Sequence, residues 1–155
     1  MITVRDFAVD DAPVLRGVFE SAIHGTARRD YSQRQVDAWA PRPCDADAWA
    51  ERMRGLAPFV ALVDGRVAGY ADLQASGSID HFYVAAQAGG QGVGGALMRR
   101  ILARAAALSL AELTSHVSLT AQPFFAHFGF EIVDHQVFEI RGVVMRNAAM
   151  RLRLH

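Results

Sequence analysis

At 155 residues, 52% of them hydrophobic and 21% charged, the chain can bury one substantial core and is too apolar to be disordered. Sixteen basic residues balance sixteen acidic ones, which argues against nucleic acid or an anionic membrane as partner. The lone cysteine, Cys44, favours a reducing, cytoplasmic setting, and neither a run of ~20 apolar residues nor a signal-peptide pattern at Met1–Asp6 is present. One domain over residues 1–155 is expected.

In chain order, Ile2 to Phe7 alternates as a first strand. Asp10-Asp11-Ala12-Pro13 then supplies an N-cap and an early proline, with Val14, Leu15, Val18, Phe19 and Ile23 on one helical face. That helix should end near His24-Gly25. A second is expected over Ser32–Ala40, capped by Ser32 and stopped by Pro41, and a third from Asp45 to Gly55. Phe59–Val63 and Arg66–Gln74 read as strands joined by Asp64-Gly65, the strongest hairpin signal in the chain. Ile79–Val84 reads as one further strand. A helix beginning with Leu97-Met98-Arg99-Arg100-Ile101-Leu102 follows, then a strand over Glu112–Leu119 and a short helix closed by Gly129. Strands over 131–140 and 143–154 complete a mixed α/β domain with a largely antiparallel sheet and a helix crossover.

Between the strand at 79–84 and the long helix lies Gln87-Ala88-Gly89-Gly90-Gln91-Gly92-Val93-Gly94-Gly95-Ala96. Glycines suit a backbone that turns successive N–H groups toward one point, where a Cβ would resist the required φ values. At a helix N-terminus such N–H groups can receive a phosphate or pyrophosphate. A tight turn, or a different nucleotide site, would use the same residues.

The order of elements, this loop and the Pro123-Phe124-Phe125-x-x-x-Gly129-Phe130 segment resemble the GNAT superfamily of acyl-CoA-dependent N-acetyltransferases across essentially the whole chain. The likeness is greatest to the YafP-like bacterial subgroup. It is carried there by Tyr31-Ser32-x-x-Gln35-x-x-Ala38-Trp39-Ala40, Leu119-Thr120-Ala121-x-Pro123-Phe124-Phe125, and Arg141-Gly142-x-x-x-x-Asn147-x-x-Met150. The family's coenzyme motif, Gln/Arg-x-x-Gly-x-Gly/Ala, fits in two registers. Gln91-x-x-Gly94-x-Ala96 matches the letters. Gly89-x-x-Gly92-x-Gly94 lacks the leading side chain but keeps the family's loop length after Val84, and is preferred for that reason.

The resemblance implies acetyl-CoA as co-substrate and acetyl transfer to a primary amine by direct attack in a ternary complex. It assigns the pyrophosphate to Gly89, Gly90, Gln91, Gly92, Val93, Gly94 and Gly95. The peptide-like pantetheine arm would pair with the strand edge at Phe82 and Val84, splayed from its neighbour. Attack needs a neutral amine, hence a base. Asp80 is the first candidate, sharing strand parity with Phe82 and Val84; His116 on the next strand is the second, and His81 should point the opposite way, into packing or onto the sheet surface. Where many members carry a tyrosine as general acid, this chain has Phe125, which would line the coenzyme site without donating a proton. His24, Tyr31 and Trp39, with Gln35 and Trp49 nearby, are candidates for the acceptor pocket, although packing explains such rings equally well.

Arg28-Arg29 could meet the coenzyme's 3′-phosphate or be a solvated pair, Cys44 reads as inert, and the six histidines show no metal-ligand spacing, so no metal is expected. The partners expected are an acyl-CoA and a small-molecule amine, with a protein amine or a longer acyl chain as alternatives. A non-catalytic acyl-CoA sensor is the rival from another class. Nothing in the residues selects between a monomer and a homodimer.

Overall fold

The computed structural model describes residues 1–155. Its strands are β1 (Ile2–Asp6), β2 (Phe59–Val63), β3 (Arg66–Ala71), β4 (Ser78–Ile79), β5 (Phe82–Val84), β6 (Glu112–Ser118), β7 (Glu131–Ile140) and β8 (Val143–Arg153). Its helices are α1 (Ala12–Glu20), α2 (Gln33–Trp39), α3 (Ala46–Leu56), α4 (Val93–Ala107) and α5 (Gln122–His127). The mixed, mostly antiparallel sheet is present as two four-stranded halves, β1-β2-β3-β5 and β4-β6-β8-β7. Only β4–β6 is parallel. No helix is long and apolar enough to cross a membrane.

The division falls inside the segment expected as a single strand over 79–84. The alternation of Ile79–Val84 is continuous, yet the chain leaves one half-sheet after Ile79 and enters the other at Phe82. The cause is Asp72, a fully buried carboxylate just past β3. Its Oδ1 accepts the backbone N–H groups of Asp80 (3.0 Å) and His81 (2.6 Å), while its own N–H donates to the His81 carbonyl (3.2 Å). Gln74 donates to its Oδ2 at 2.6 Å. On the other side, the buried Ser115 hydroxyl donates to the Ile79 carbonyl (2.8 Å). Main-chain groups that a continuous strand would direct to a neighbour are thus bonded to side chains, and the halves can diverge.

Helices pack on both faces of the β1-β2-β3-β5 half. Helix α4 buries Val93, Leu97, Met98 and Ile101 against β1, β2 and β3. A Cβ at Gly69 of β3 would meet Val93 Cγ1 and the Tyr83 carbonyl, each at 3.0 Å, so glycine there permits the close approach. Helix α1 packs on β3, β5 and α3, with Leu15, Val18, Phe19 and the following Ile23 buried. Val14, expected in that stripe, is 45% exposed; the apolar face is the narrower one through Leu15, Val18 and Phe19. Asp45 caps α3 by accepting from Asp47 and Ala48, and Ser32 with Gln35 forms a capping box on α2. At the hairpin, Asp64 and Gly65 both have positive φ (49° and 82°), as the Asp-Gly signal implied.

Burial pushes the Asp72 carboxyl up to about 6, against ~3.9 in an unfolded chain. The fold therefore favours the protonated form, a contribution complete below the unfolded value and lost as pH rises through 6. The Asp72→Asn variant does not titrate, so wild type should lose stability relative to it between pH 4 and pH 8 in urea unfolding. A pH-independent difference would refute the shift. Asp72→Ala removes the acceptor of two N–H groups and should cost about 2–5 kcal/mol.

Candidate active site

The glycine-rich segment begins with a 3₁₀ turn at Ala86–Ala88 and ends at the N-cap of α4, Gly92. Gly90 (φ 77°) and Gly92 (φ 89°) occupy the left-handed region, so glycine is required at both. The backbone N–H groups of residues 90–95 have no protein acceptor; the first amide of α4 that is bonded is Ala96, to Gly92. They form a run of free donors at the positive end of a 15-residue helix. The loop is pinned to the end of α1, where Ser21 Oγ accepts the Ala86 N–H (2.9 Å). A Cβ on Gly25 would lie 2.6 Å from the Ala86 Cβ.

Below the loop, β5 bonds β3 through its odd-numbered residues: Ala85 N–H to Ala68 O, and Asp72 N–H to His81 O, with Tyr83 opposite Tyr70. In an antiparallel ladder the intervening residues direct their main-chain groups the other way. Phe82 and Val84 therefore face the gap toward β6, a strand that pairs only with β4 and β8.

Two cavities meet at this gap. The smaller, about 210 Å³, includes Val84, Gly94, Thr120 and Phe124 in its wall. The larger, about 950 Å³, is bounded by α1, α3, β6 and the β7–β8 hairpin. Trp39, Phe82, Tyr83, Ser118, Ala121 and Phe125 line both. Each cavity also holds one buried polar atom without a partner: Thr120 Oγ1 in the smaller and Asn147 Oδ1 in the larger.

The structure distributes the sequence-predicted residues unevenly. Asp80 is exposed, lines the larger cavity, and takes the Ser78 hydroxyl on Oδ1 (2.8 Å). Because the strand breaks between Ile79 and Phe82, parity with Phe82 and Val84 is not what places Asp80. His116 also lines the larger cavity, with Nδ1 2.8 Å from Gln136 Oε1. Phe125 is fully buried at the junction, stacked edge-on against Phe82 (5.4 Å) and Phe130 (5.0 Å). Trp39 lines both cavities. Tyr31 lines the larger one, but its hydroxyl is engaged by the backbone, donating to Arg146 O (2.5 Å) and accepting from Leu119 N–H (2.9 Å).

His24 is a correction. It lines neither cavity; its Nε2 lies 2.8 Å from the Ala40 carbonyl, tying the helical turn Ser21–Thr26 that follows α1 to the end of α2. Cys44, read from the sequence as inert, is in the larger cavity's wall, and Arg29 is at the smaller.

Sequence reasoning missed the part played by His81 and Tyr83. Both line the larger cavity, and Tyr83 the smaller as well. His81 is packed as expected, between two polar neighbours: Nδ1 is 2.9 Å from the Tyr70 hydroxyl, and Nε2 is 3.2 and 3.1 Å from Arg52 Nε and Nη2. Burial and the Arg52 charge push it down to about 4, so the ring is neutral at physiological pH. Burial pushes the Tyr83 phenol up to about 12. The signal available in the sequence was local: Asp80-His81-Phe82-Tyr83 sets two polar rings beside a base candidate.

The sequence model of the acetyltransferase (GNAT) domain matches residues 27–154. The uncharacterized N-acetyltransferase YafP of Escherichia coli strain K12 is 31% identical over 152 residues, 98% of this chain and 96% of that protein. Among solved structures, a GCN5-related N-acetyltransferase (aminotransferase, class II) from Rhodopseudomonas palustris superposes with TM-score 0.93 at 30% identity, covering 98% of this chain and 95% of that one. The fold is shared as well with yncA from Salmonella typhimurium, solved with its cofactor acetyl-CoA, at TM-score 0.72 and 20% identity over 100% and 95% of the two chains.

The two bonds of the Tyr31 hydroxyl join the segment before α2 to the ends of β6 and β8. Tyr31→Phe leaves the Leu119 N–H and Arg146 carbonyl without their partner, and should cost about 1–3 kcal/mol in urea unfolding. A change below about 0.5 kcal/mol, the scale of an ordinary surface substitution, would contradict this.

Proposed function

Because the chain belongs to the GNAT acetyltransferase family, we propose that it moves the acetyl group of acetyl-CoA to a primary amine within a ternary complex. One observation carries the reading: two cavities meet at Phe82 and Tyr83, and the smaller is walled in part by Gly94, one of the residues 90–95 whose amides are free. The acetyl-CoA bound in the yncA structure supports the choice of coenzyme.

On this reading the pyrophosphate lies on the N–H groups at the start of α4. The pantetheine arm passes along β5, pairing with the main chain of Phe82 and Val84, and Thr120 Oγ1 offers it a further hydrogen bond. Arg29, in the wall of the smaller cavity, is a cation available to the coenzyme's remaining phosphate. The acceptor amine enters the larger cavity. Its lone pair attacks the thioester carbonyl carbon, the C–N bond forms, and the C–S bond breaks with the electron pair leaving on sulfur. The proton lost by nitrogen goes to Asp80, directly or through a water. His81 is unsuited to that task, since both ring nitrogens are already bonded.

His116 is a second reading for the base, favoured by one contact. If Gln136 presents its carbonyl to Nδ1 (2.8 Å), the proton sits there and Nε2 keeps a lone pair facing outward. The variants separate the two. Asp80→Asn should reduce kcat by about 10²-fold or more, within the range of general-base contributions, with coenzyme affinity retained, while His116→Ala should leave most of the rate. The reverse pattern assigns the base to His116. Coenzyme binding with no measurable transfer by the wild-type protein, and so no rate for either variant to lose, would favour a non-catalytic acyl-CoA sensor.

Coenzyme binding is tested separately by thermal unfolding, since a ligand of the native state raises the midpoint by mass action. Acetyl-CoA and CoA should raise it and ATP should not. Gly94→Val should abolish the shift, because a Cβ there lies 3.0 Å from the Phe124 ring. Gly95→Ala should keep it, since its Cβ meets only the flexible Arg99 guanidinium (3.1 Å). No shift with either CoA species at millimolar concentration would overturn the reading.

A further inference from the structure

Resting on that reading of the two cavities, we propose that the acceptor carries a carboxylate or similar anionic group in addition to its amine, and that Arg52 binds it. Arg52 projects from α3 into the wall of the larger cavity. No carboxylate pairs with it. Its only protein partner is His81 Nε2, reached by Nε at 3.2 Å and Nη2 at 3.1 Å, and Nη1 makes no hydrogen bond.

A guanidinium only donates, so His81 Nε2 must offer its lone pair and the ring proton must sit on Nδ1, toward the Tyr70 oxygen at 2.9 Å. Stacking on Phe19 (5.8 Å between centroids, 23° between planes) holds the same ring. Arg52 is therefore oriented by a neutral group that leaves its charge uncompensated. A planar fork held in that way is suited to bidentate contact with a carboxylate.

The rest of the cavity wall agrees. Arg16 is satisfied by Glu20 at 2.7 Å, but Arg141 donates to the Ala38 carbonyl (2.6 Å) and has no carboxylate partner. Of the two acids in the wall, Asp45 is occupied in capping α3. Asp80 has only the Ser78 hydroxyl, and the buried Asn147 Oδ1 has no donor. The wall thus offers two uncompensated cations for an anionic group, and acceptors for an amine. A molecule with both ends, of the amino-acid type, satisfies more of these groups than a polyamine does.

The test compares matched probes: L-methionine, L-phenylalanine and L-glutamate against their α-carboxamides, with spermidine as an amine that lacks an anion. Thermal midpoints are read with each probe, in the presence and absence of saturating CoA. The acids should raise the midpoint more than the amides and spermidine, and the preference should vanish in Arg52→Gln while the shift due to CoA persists. In thiol-release assays the acid-over-amide ratio of kcat/KM should be about tenfold or more, the scale of a charge-assisted hydrogen bond. It should fall toward unity in Arg52→Gln and be partly retained in Arg52→Lys. Equal or absent shifts for acids and amides, or a preference that survives in Arg52→Gln, overturn the proposal. A missing CoA shift is a different failure and counts against acetyl transfer itself.

Discussion

The arrangement depends on the buried Asp72 carboxylate and the two backbone N–H groups it accepts from Asp80 and His81. An unbroken strand at 79–84 would zip the β1-β2-β3-β5 half to β6 and close the gap. By taking those main-chain donors onto a side chain, Asp72 lets β4 stay with β6 while β5 stays with β3. The outward main-chain groups of Phe82 and Val84 are then free, and the cavities meet beside them. The same two residues that Asp72 anchors, Asp80 and His81, carry the base candidate and the ring that orients Arg52. A desolvated carboxylate is an expensive way to hold a fork, which makes sense where the gap it maintains is the place where substrates meet.

Much of this was legible in the sequence because the signals are local. The Asp64-Gly65 hairpin, the Asp45 and Ser32 caps and the glycine run each depend on residues within a few positions of one another, and each formed near where its residues implied. Within the glycine run, Gly92 is the left-handed N-cap of α4 and Gly94 faces the Phe124 ring. The break at Asp80-His81 was not legible, because its cause lies on a different strand and leaves the alternation of Ile79–Val84 intact. His81 nonetheless keeps its place in the β3–β5 ladder with Tyr83, and is buried as its parity implied. His24 and Tyr31 show the complementary limit, since an aromatic or imidazole ring near a pocket does not reveal whether its polar atom is already taken by the backbone. Each of theirs is.

Asp72 and His81 also oppose each other in their response to protons. Asp72 favours the protonated state up to about pH 6, so its contribution grows as pH falls. His81, held down to about 4 against ~6.5 when unfolded, loses stabilising contribution as pH falls through that window. Their shifts are similar in size and opposite in sign, so the fork as a unit is far less sensitive to pH between about 4 and 6.5 than either residue alone.

Phe125 leaves the departing sulfur without the tyrosine that the family resemblance would supply. Tyr83 is the one phenol lining both cavities, but its proton is held up to about 12, far above the ~8.5 of a thiol. Transfer from Tyr83 to the thiolate would run uphill by several pK units, so Tyr83 can donate a hydrogen bond to developing charge without giving up the proton. The thiolate is a tolerable leaving group in its own right, and on the proposed reading the enzyme does not need to protonate it. The burden then falls on the other side of the reaction, where a neutral amine must be delivered to the thioester carbon. A cavity wall that grips the acceptor by a second, anionic end through Arg52 supplies that positioning, which compensates for the acid that Phe125 cannot be.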